Sequence, residues 1–158
     1  MRKILMLWQR VHYNVFEFNK FMQINIFGFP LFSLLKNKHI KRLYKKRGVN
    51  DPEKAIKKAL TDPSDSTIIV LTDTFMCILL FLLLITLSNF ISSLIKIVLF
   101  ATLNKIAFLL IFFEPSLLIN YFALWQHERY LIYFQKFEKE KIEEKKKWAR
   151  ISVGVIIG

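Results

Sequence analysis

One long apolar stretch constrains this chain more than any other feature. Between residues 74 and 123 only three side chains are charged, namely Lys96, Lys105 and Glu114. A helix rises about 1.5 Å per residue, so about 20 apolar residues cross roughly 30 Å of hydrocarbon. The stretch has room for two such crossings. It therefore predicts an integral membrane protein rather than a soluble domain.

The charged residues of the chain flank this stretch on both sides. The net charge is +12, with ten basic and two acidic side chains in residues 36–58 and eight basic side chains in residues 126–150. Lys and Arg beside membrane spans favour the cytoplasmic side. The apolar stretch alone can be divided into two or three spans. Because both basic segments belong on the same side, we predict an even number of crossings.

These boundaries give a predicted architecture. One span is expected at residues 75–94, a loop at residues 96–105 and a second span at residues 106–125. The fold class is then all-α, a helical hairpin of two transmembrane helices with amphipathic or basic cytoplasmic helices at both ends. The predicted location is a bacterial or organellar inner membrane, and both termini face the cytoplasm or matrix.

Four segments follow from this division of the chain. Residues 1–35 form an amphipathic, interfacial N-terminal segment, and residues 36–73 form a basic helical segment with its connector. Residues 74–125 form the hairpin, and residues 126–158 form a basic C-terminal arm. Asp73 then lies at the mouth of the first span as a boundary residue.

The N-terminal segment predicts an amphipathic helix at residues 4–22. Its apolar stripe recurs at steps of three and four residues and comprises Ile4, Trp8, Val11, Val15, Phe18 and Met22. This stripe fits either a helix lying in the membrane interface or a helix packed on the rest of the protein. Residues 24–35 are apolar but interrupted by Gly28 and Pro30, and they are too few to span, so an interfacial or re-entrant piece is expected.

Two short helices are predicted in the basic segment. Gly48 is expected to end the first, which is rich in Lys and Arg. The second should cover residues 52–60, because Asp51 accepts free amide hydrogens of a first turn and Pro52 fits the first helical position.

The C-terminal arm at residues 126–150 has a strongly helix-forming sequence. Its aromatic face, expected near the membrane, comprises Tyr130, Tyr133, Phe134 and Phe137. His127 and Glu128 are the only local pair with acid–base potential, and a solvated helix face explains them equally simply.

The cations of both arms are the predicted binding residues for anionic lipid headgroups or an acidic partner. They are Lys36, Lys38, Lys41, Arg42, Lys45, Lys46, Arg47, Lys145, Lys146 and Lys147. Beside an anionic bilayer each contributes roughly 1 kcal/mol. The alternative is that these charges only fix the topology. No nucleic-acid-binding motif accompanies them, so membrane lipids and other membrane subunits, or self-association, are the expected partners.

Glu114, with Asn120, is the candidate intramembrane polar site. Ionisable groups within a span are costly and usually face a partner or a water-filled cavity. A proton or ion role is one interpretation. The others are a neutral carboxyl, a carboxyl paired with Lys105 or Asn120 at a kink made by Pro115, or an interfacial position.

No catalytic, cofactor-binding or metal-binding motif is found in the sequence. We therefore expect a non-enzymatic protein without a cofactor, an accessory subunit of a membrane complex. The alternative is an oligomeric channel or membrane-permeabilising protein in which Glu114, Ser116 and Asn120 line the pore.

Overall fold

The computed structural model describes residues 2–64, 67–95 and 104–157, and every regular element among them is helical. The loop predicted at residues 96–105 lies outside the described residues except for its last two. Eight α-helices follow the chain: α1 Arg2–Met22, α2 Gly28–Leu35, α3 Lys38–Lys46, α4 Pro52–Thr61, α5 Thr67–Ile95, α6 Lys105–Asn120, α7 Arg129–Glu138 and α8 Ile142–Ile157. A π-helical turn, Gln23–Phe27, joins α1 to α2, and the segments Tyr121–Trp125 and Gln126–Glu128 join α6 to α7.

The chain divides into two compact units. The first unit comprises Met1–His12 with Asp73–Gly158, and the second comprises Tyr13–Thr72. The prediction of an all-helical fold is confirmed for the part of the chain that the structure describes, in which no strand occurs.

Two helical stretches are long and apolar enough to cross a membrane, Thr67–Leu94 and Lys105–Glu138, with 28 and 34 residues. The first begins eight residues earlier than the predicted span at 75–94. As a result Asp73 lies within helix α5 and not at the start of the apolar helical stretch. Within the first unit, the Phe81 ring packs edge-on against Phe108 and Phe113 of α6, at centroid distances of 6.3 and 6.2 Å.

The second unit contains the two short helices predicted in the basic segment. Asn37 caps α3 by accepting the His39 amide hydrogen at 2.9 Å, and Gly48 follows the helix with a φ of +80°. Asp51 caps α4 by accepting the Lys54 amide hydrogen at 3.1 Å. Both helices therefore begin at side-chain caps, and the predictions for Gly48 and Asp51 are confirmed.

A turn after α4 holds a carboxylate in a local hydrogen-bonded geometry. The Ser64 hydroxyl donates to Asp62 Oδ1 at 2.6 Å and the Ser64 amide donates to the same oxygen at 3.0 Å. The side-chain hydrogen bond, followed by the backbone one, holds the pKa of the exposed Asp62 carboxyl below its ordinary value.

The structure refines three expectations about helical faces and boundaries. In α1 the apolar stripe is buried only in part, since Val11 and Val15 are buried while Ile4 and Phe18 are 73% and 60% exposed. The polar residues Arg10 and His12, which lie off the stripe, are buried as well. The helix-forming segment at residues 126–150 is divided between α7 and α8, because residues 139–141 are not helical.

The third concerns the aromatic face of α7. Tyr133, Phe134 and Phe137 are buried within the protein and do not form an exposed face.

Gly28 and Pro30 do not interrupt the helix as the sequence suggested. Pro30 is the third residue of α2, which continues directly from the π-helical turn Gln23–Phe27.

Candidate functional site

A buried cluster of polar side chains lies in the first unit, and we refer to it as the polar cluster. Its members are Trp8, Arg10, His12, Asp73, Asn120, Tyr133 and Glu140. They come from α1, α5, α6, α7 and the connector between α7 and α8. The cluster therefore joins elements that are far apart in sequence.

His12 lies at the centre of the cluster and its side chain is completely buried. The ring Nε2 is 2.8 Å from Asp73 Oδ1, and Nδ1 forms a short hydrogen bond with the Tyr133 hydroxyl. In the neutral tautomer with hydrogen on Nε2, the ring donates to Asp73 and accepts the Tyr133 proton, so all three groups are satisfied.

Aromatic rings enclose the imidazole. Phe134, Tyr133 and Tyr130 of α7 have ring centroids 5.3, 6.0 and 6.4 Å from that of His12. These rings exclude water from the imidazole, and the loss of solvation is offset by the two hydrogen bonds to Asp73 and Tyr133.

Arg10 and Glu140 form a second part of the polar cluster. The two guanidinium Nη atoms bond to the two carboxylate oxygens as a bidentate pair, with side chains 8% and 15% exposed. The Arg10 Cζ atom also lies 3.7 Å from the ring centroid of Phe137 and 4.9 Å from that of Trp148. A planar guanidinium group can form two parallel hydrogen bonds to a carboxylate and stack on aromatic rings at the same time. A lysine side chain cannot do both.

The third part of the polar cluster links α1, α5 and α6. Trp8 Nε1 donates to Asn120 Oδ1 at 2.8 Å, and Asn120 Nδ2 donates to Cys77 Sγ at 3.6 Å. Asn120 is fully buried. The Asn120 amide therefore joins α6 to α1 through its oxygen and to α5 through its nitrogen, and it holds these helices in position.

The two members of the predicted intramembrane site are separated by the structure. Asn120 belongs to the polar cluster, whereas Glu114 is exposed on α6. Ser116, the third residue of the predicted pore, is buried and its hydroxyl donates to the Phe113 carbonyl at 2.8 Å. Ser116 and Asn120 are thus packed inside the protomer, and Glu114 alone faces outward.

The predicted lipid-binding cations are mostly at the surface. Those of the first basic segment, Lys36, Lys38, Lys41, Arg42, Lys45, Lys46 and Arg47, are all exposed, and α3 has no buried residue. In the C-terminal arm, Lys146 and Lys147 line a shallow groove of about 470 Å³ together with Arg150. Lys145 differs, because its Nζ donates to the Glu138 carbonyl at 2.7 Å near the end of α7.

His127 and Glu128 lie in the turn that leads into α7. Both are exposed and both have positive φ, 57° and 52°, in the left-handed region. Such a conformation costs roughly 1–2 kcal/mol for a residue with a Cβ atom. The pair therefore marks a kink in the chain before α7.

Sequence reasoning missed Arg10, His12, Asp73, Tyr133 and Glu140. A signal was available for three of them. Arg10 and His12 flank Val11 of the apolar stripe, and Asp73 is the only charged residue of the described helix α5. Charges within apolar helical sequence are costly unless partnered, and the same rule that selected Glu114 also selects Asp73. Glu140 stands in a run of charges and carries no such signal.

The chemistry available to the polar cluster is hydrogen bonding and proton sharing within the protein. Among residues 2–64, 67–95 and 104–157, no group of three or more His, Cys, Asp or Glu side chains is placed to hold a metal ion. Comparison with known protein families, curated proteins and solved structures finds no match for this chain.

Proposed function

We propose that the chain is a non-enzymatic integral membrane protein, an accessory subunit of a membrane complex. In this proposal α5 and α6 form a transmembrane hairpin. The two basic arms lie on the cytoplasmic or matrix side and bind anionic headgroups or an acidic partner.

The observation that carries the proposal is the outward apolar surface of the two candidate spans. Only 33% and 17% of the residues in their most apolar windows are buried, whereas the core helix of a soluble protein is mostly buried. Leu82, Leu87 and Phe90 of α5 and Leu110 and Leu118 of α6 are more than half exposed. Contiguous apolar surface of this extent is rare on soluble monomers and suits lipid.

The surface of α3 supports the lipid-binding part of the proposal. Its cations are exposed around the helix and Leu43 is 61% exposed, so no described neighbour covers this surface. Several cations near an anionic leaflet are together worth a few kcal/mol, at roughly 1 kcal/mol each.

The polar cluster supports a structural rather than a catalytic role. The His12 imidazole and the Asn120 amide are fully buried, and both are occupied by hydrogen bonds within the protein. A general acid or base must come within hydrogen-bond reach of a substrate, and a fully enclosed imidazole cannot do so.

The test is to purify the tagged full chain from membranes. We expect it to stay in the membrane pellet after alkaline washing. In mild detergent its native mass should be that of a heteromeric complex. Release by the alkaline wash would contradict membrane insertion, and a homo-oligomer that conducts ions after reconstitution would support the channel alternative.

The lipid-binding part is tested by trypsin cleavage at Lys45, Lys46 and Arg47 in nanodiscs. We expect slower cleavage with phosphatidylglycerol present than in pure phosphatidylcholine, because headgroup binding shields these sites. The protection should disappear in high salt, which screens exposed charges beyond about 3 Å at 1 M. Equal rates in the two lipids would show that the cations do not bind anionic headgroups.

A further inference from the structure

Glu114 lies on the side of α6 that faces away from the protein. The buried residues of α6 are Phe112, Ser116 and Asn120, which recur every four residues and form one ridge. At about 100° per residue, Glu114 lies roughly 160–200° from Phe112 and Ser116. It is exposed, and none of the described residues pairs with it.

The surroundings of Glu114 are those of a lipid-facing surface. Leu110, Ile111, Leu117 and Leu118 lie within about one turn of it on the same side and are 56%, 50%, 36% and 51% exposed. A carboxyl on such a surface has no water to solvate it once the helix is in hydrocarbon. Ionisable groups within a span usually face a protein partner that pairs with them or a water-filled cavity.

A second acceptor lies next to Glu114. Pro115 is inside α6 and has no amide hydrogen, so the bond that residue 115 would donate to the Ile111 carbonyl is missing. Ile111 is three residues before Glu114 and therefore lies on the same side of the helix. The surface thus presents two acceptors and no donor, which calls for a partner with several donors and a positive charge.

A second copy of this chain does not supply that charge at the right depth. Helix α5 contains no Lys or Arg, and the described chain from 106 to 128 contains none. Lys105 is nine residues from Glu114, about 14 Å along the helix. Two copies inserted in the same orientation place Glu114 at the same depth, so Lys105 of one stays remote from Glu114 of the other.

We infer that the face of α6 around Glu114 is the docking surface for a membrane-spanning helix of a different subunit, which carries Lys or Arg at the depth of Glu114. This inference rests on the proposed function and names the interface through which the subunit joins its complex. An Arg suits the site best, because its five N–H donors reach both the carboxylate and the free carbonyl.

Defined probe helices test this inference with the full chain in phosphatidylcholine vesicles. One probe is a polyleucine transmembrane helix with a single central Arg, and the control probe is the same helix with Leu at that position. Energy transfer between labelled chain and labelled probe measures association. We expect the Arg probe to associate on the order of tenfold more tightly than the Leu probe.

Variants of the chain separate the charge from the packing. Glu114→Gln should reduce association of the Arg probe to the level of the Leu probe, and Glu114→Lys should prefer a probe with a central Glu. Leu118→Trp should weaken docking by blocking the surface, whereas Leu82→Trp, at the closely matched exposure of 52% on α5, should not.

Three results would overturn the inference. They are equal association of the Arg and Leu probes, undiminished association of the Arg probe with Glu114→Gln, and self-association of the chain through Glu114 without any probe.

Alkaline washing of the vesicles comes first. If the chain is released, the proposed membrane function fails. If it stays inserted and the probes do not differ, only the docking surface is wrong.

Discussion

The two units of the chain are organised by contacts of very different range. In the first unit, Trp8 and Asn120 are 112 residues apart, and Arg10 and Glu140 are 130 residues apart. In the second unit, the caps of α3 and α4 join residues two and three positions apart. A long-range polar contact in the second unit does exist, between Asn19 and Thr72 at 3.0 Å, but α3 and α4 do not take part in it.

This difference predicts how each unit responds to damage. Removing one member of the polar cluster leaves a buried charge or polar group without its partner. The substitution also weakens the contacts among several helices at once. Removing a cap in the second unit exposes a free amide hydrogen to water at one helix end. We therefore expect cooperative loss of stability in the first unit and local fraying in the second.

The largest effect is expected for the Arg10–Glu140 pair. Glu140→Leu leaves the buried guanidinium unpaired between Phe137 and Trp148, and a buried charge without a partner costs about 3–5 kcal/mol. Arg10→Leu should cost a similar amount. Thermal unfolding of the full chain in detergent measures both.

The double variant Arg10→Leu with Glu140→Leu is the control for this prediction. It removes both charges, so its loss of stability should be clearly smaller than the sum of the two single losses. Additive losses would mean that the pair is not coupled in the folded protein.

An intermediate effect is expected when the hydroxyl of Tyr133 is removed. Tyr133→Phe keeps the ring but leaves His12 Nδ1 without its hydrogen bond, and a buried unsatisfied group costs about 1–3 kcal/mol. Tyr130→Phe is a matched control on the same helix, since no described residue receives a hydrogen bond from its hydroxyl. If both variants unfold at the same temperature, the His12–Tyr133 bond contributes nothing to stability.

The smallest effect is expected at the start of α4. Asp51→Ala removes the acceptor for the Lys54 amide hydrogen, which typically costs about 1 kcal/mol of helix stability. Hydrogen exchange should accelerate at the first amides of α4 while the melting temperature of the first unit stays unchanged. Asp51→Asn retains a capping oxygen and should exchange at the original rate. Destabilisation of both units by Asp51→Ala would contradict the comparison.

The same contrast explains what the sequence could predict. Helices α3 and α4 were predictable because Asp51, Pro52 and Gly48 act on atoms within a few residues of themselves. The two stretches long and apolar enough to cross a membrane were predictable from composition alone. For these features, the residues that determine the structure all lie within a short window of the sequence.

The pairings within the polar cluster were not predictable, because the two members of each pair are more than 40 residues apart. Arg10 can be buried because Glu140 neutralises its charge. No residue close to Arg10 in the sequence indicates that Glu140 is its partner. The same ion pair accompanies the break between α7 and α8, where Glu140 lies in the connector and no Gly or Pro marks the end of a helix. Asp73 was taken for a boundary residue because its partner, His12, is 61 residues away.

The position of Cys77 has a practical consequence for measuring motion in this protein. It is the only cysteine of the chain, it is 6% exposed, and its sulfur accepts a hydrogen bond from Asn120. A thiol in this place reacts with a membrane-permeable maleimide only while α5 and α6 are locally apart. The rate of alkylation at low reagent concentration therefore measures how often these two helices separate in the native chain. The measurement needs no engineered label, and no second thiol contributes to the signal.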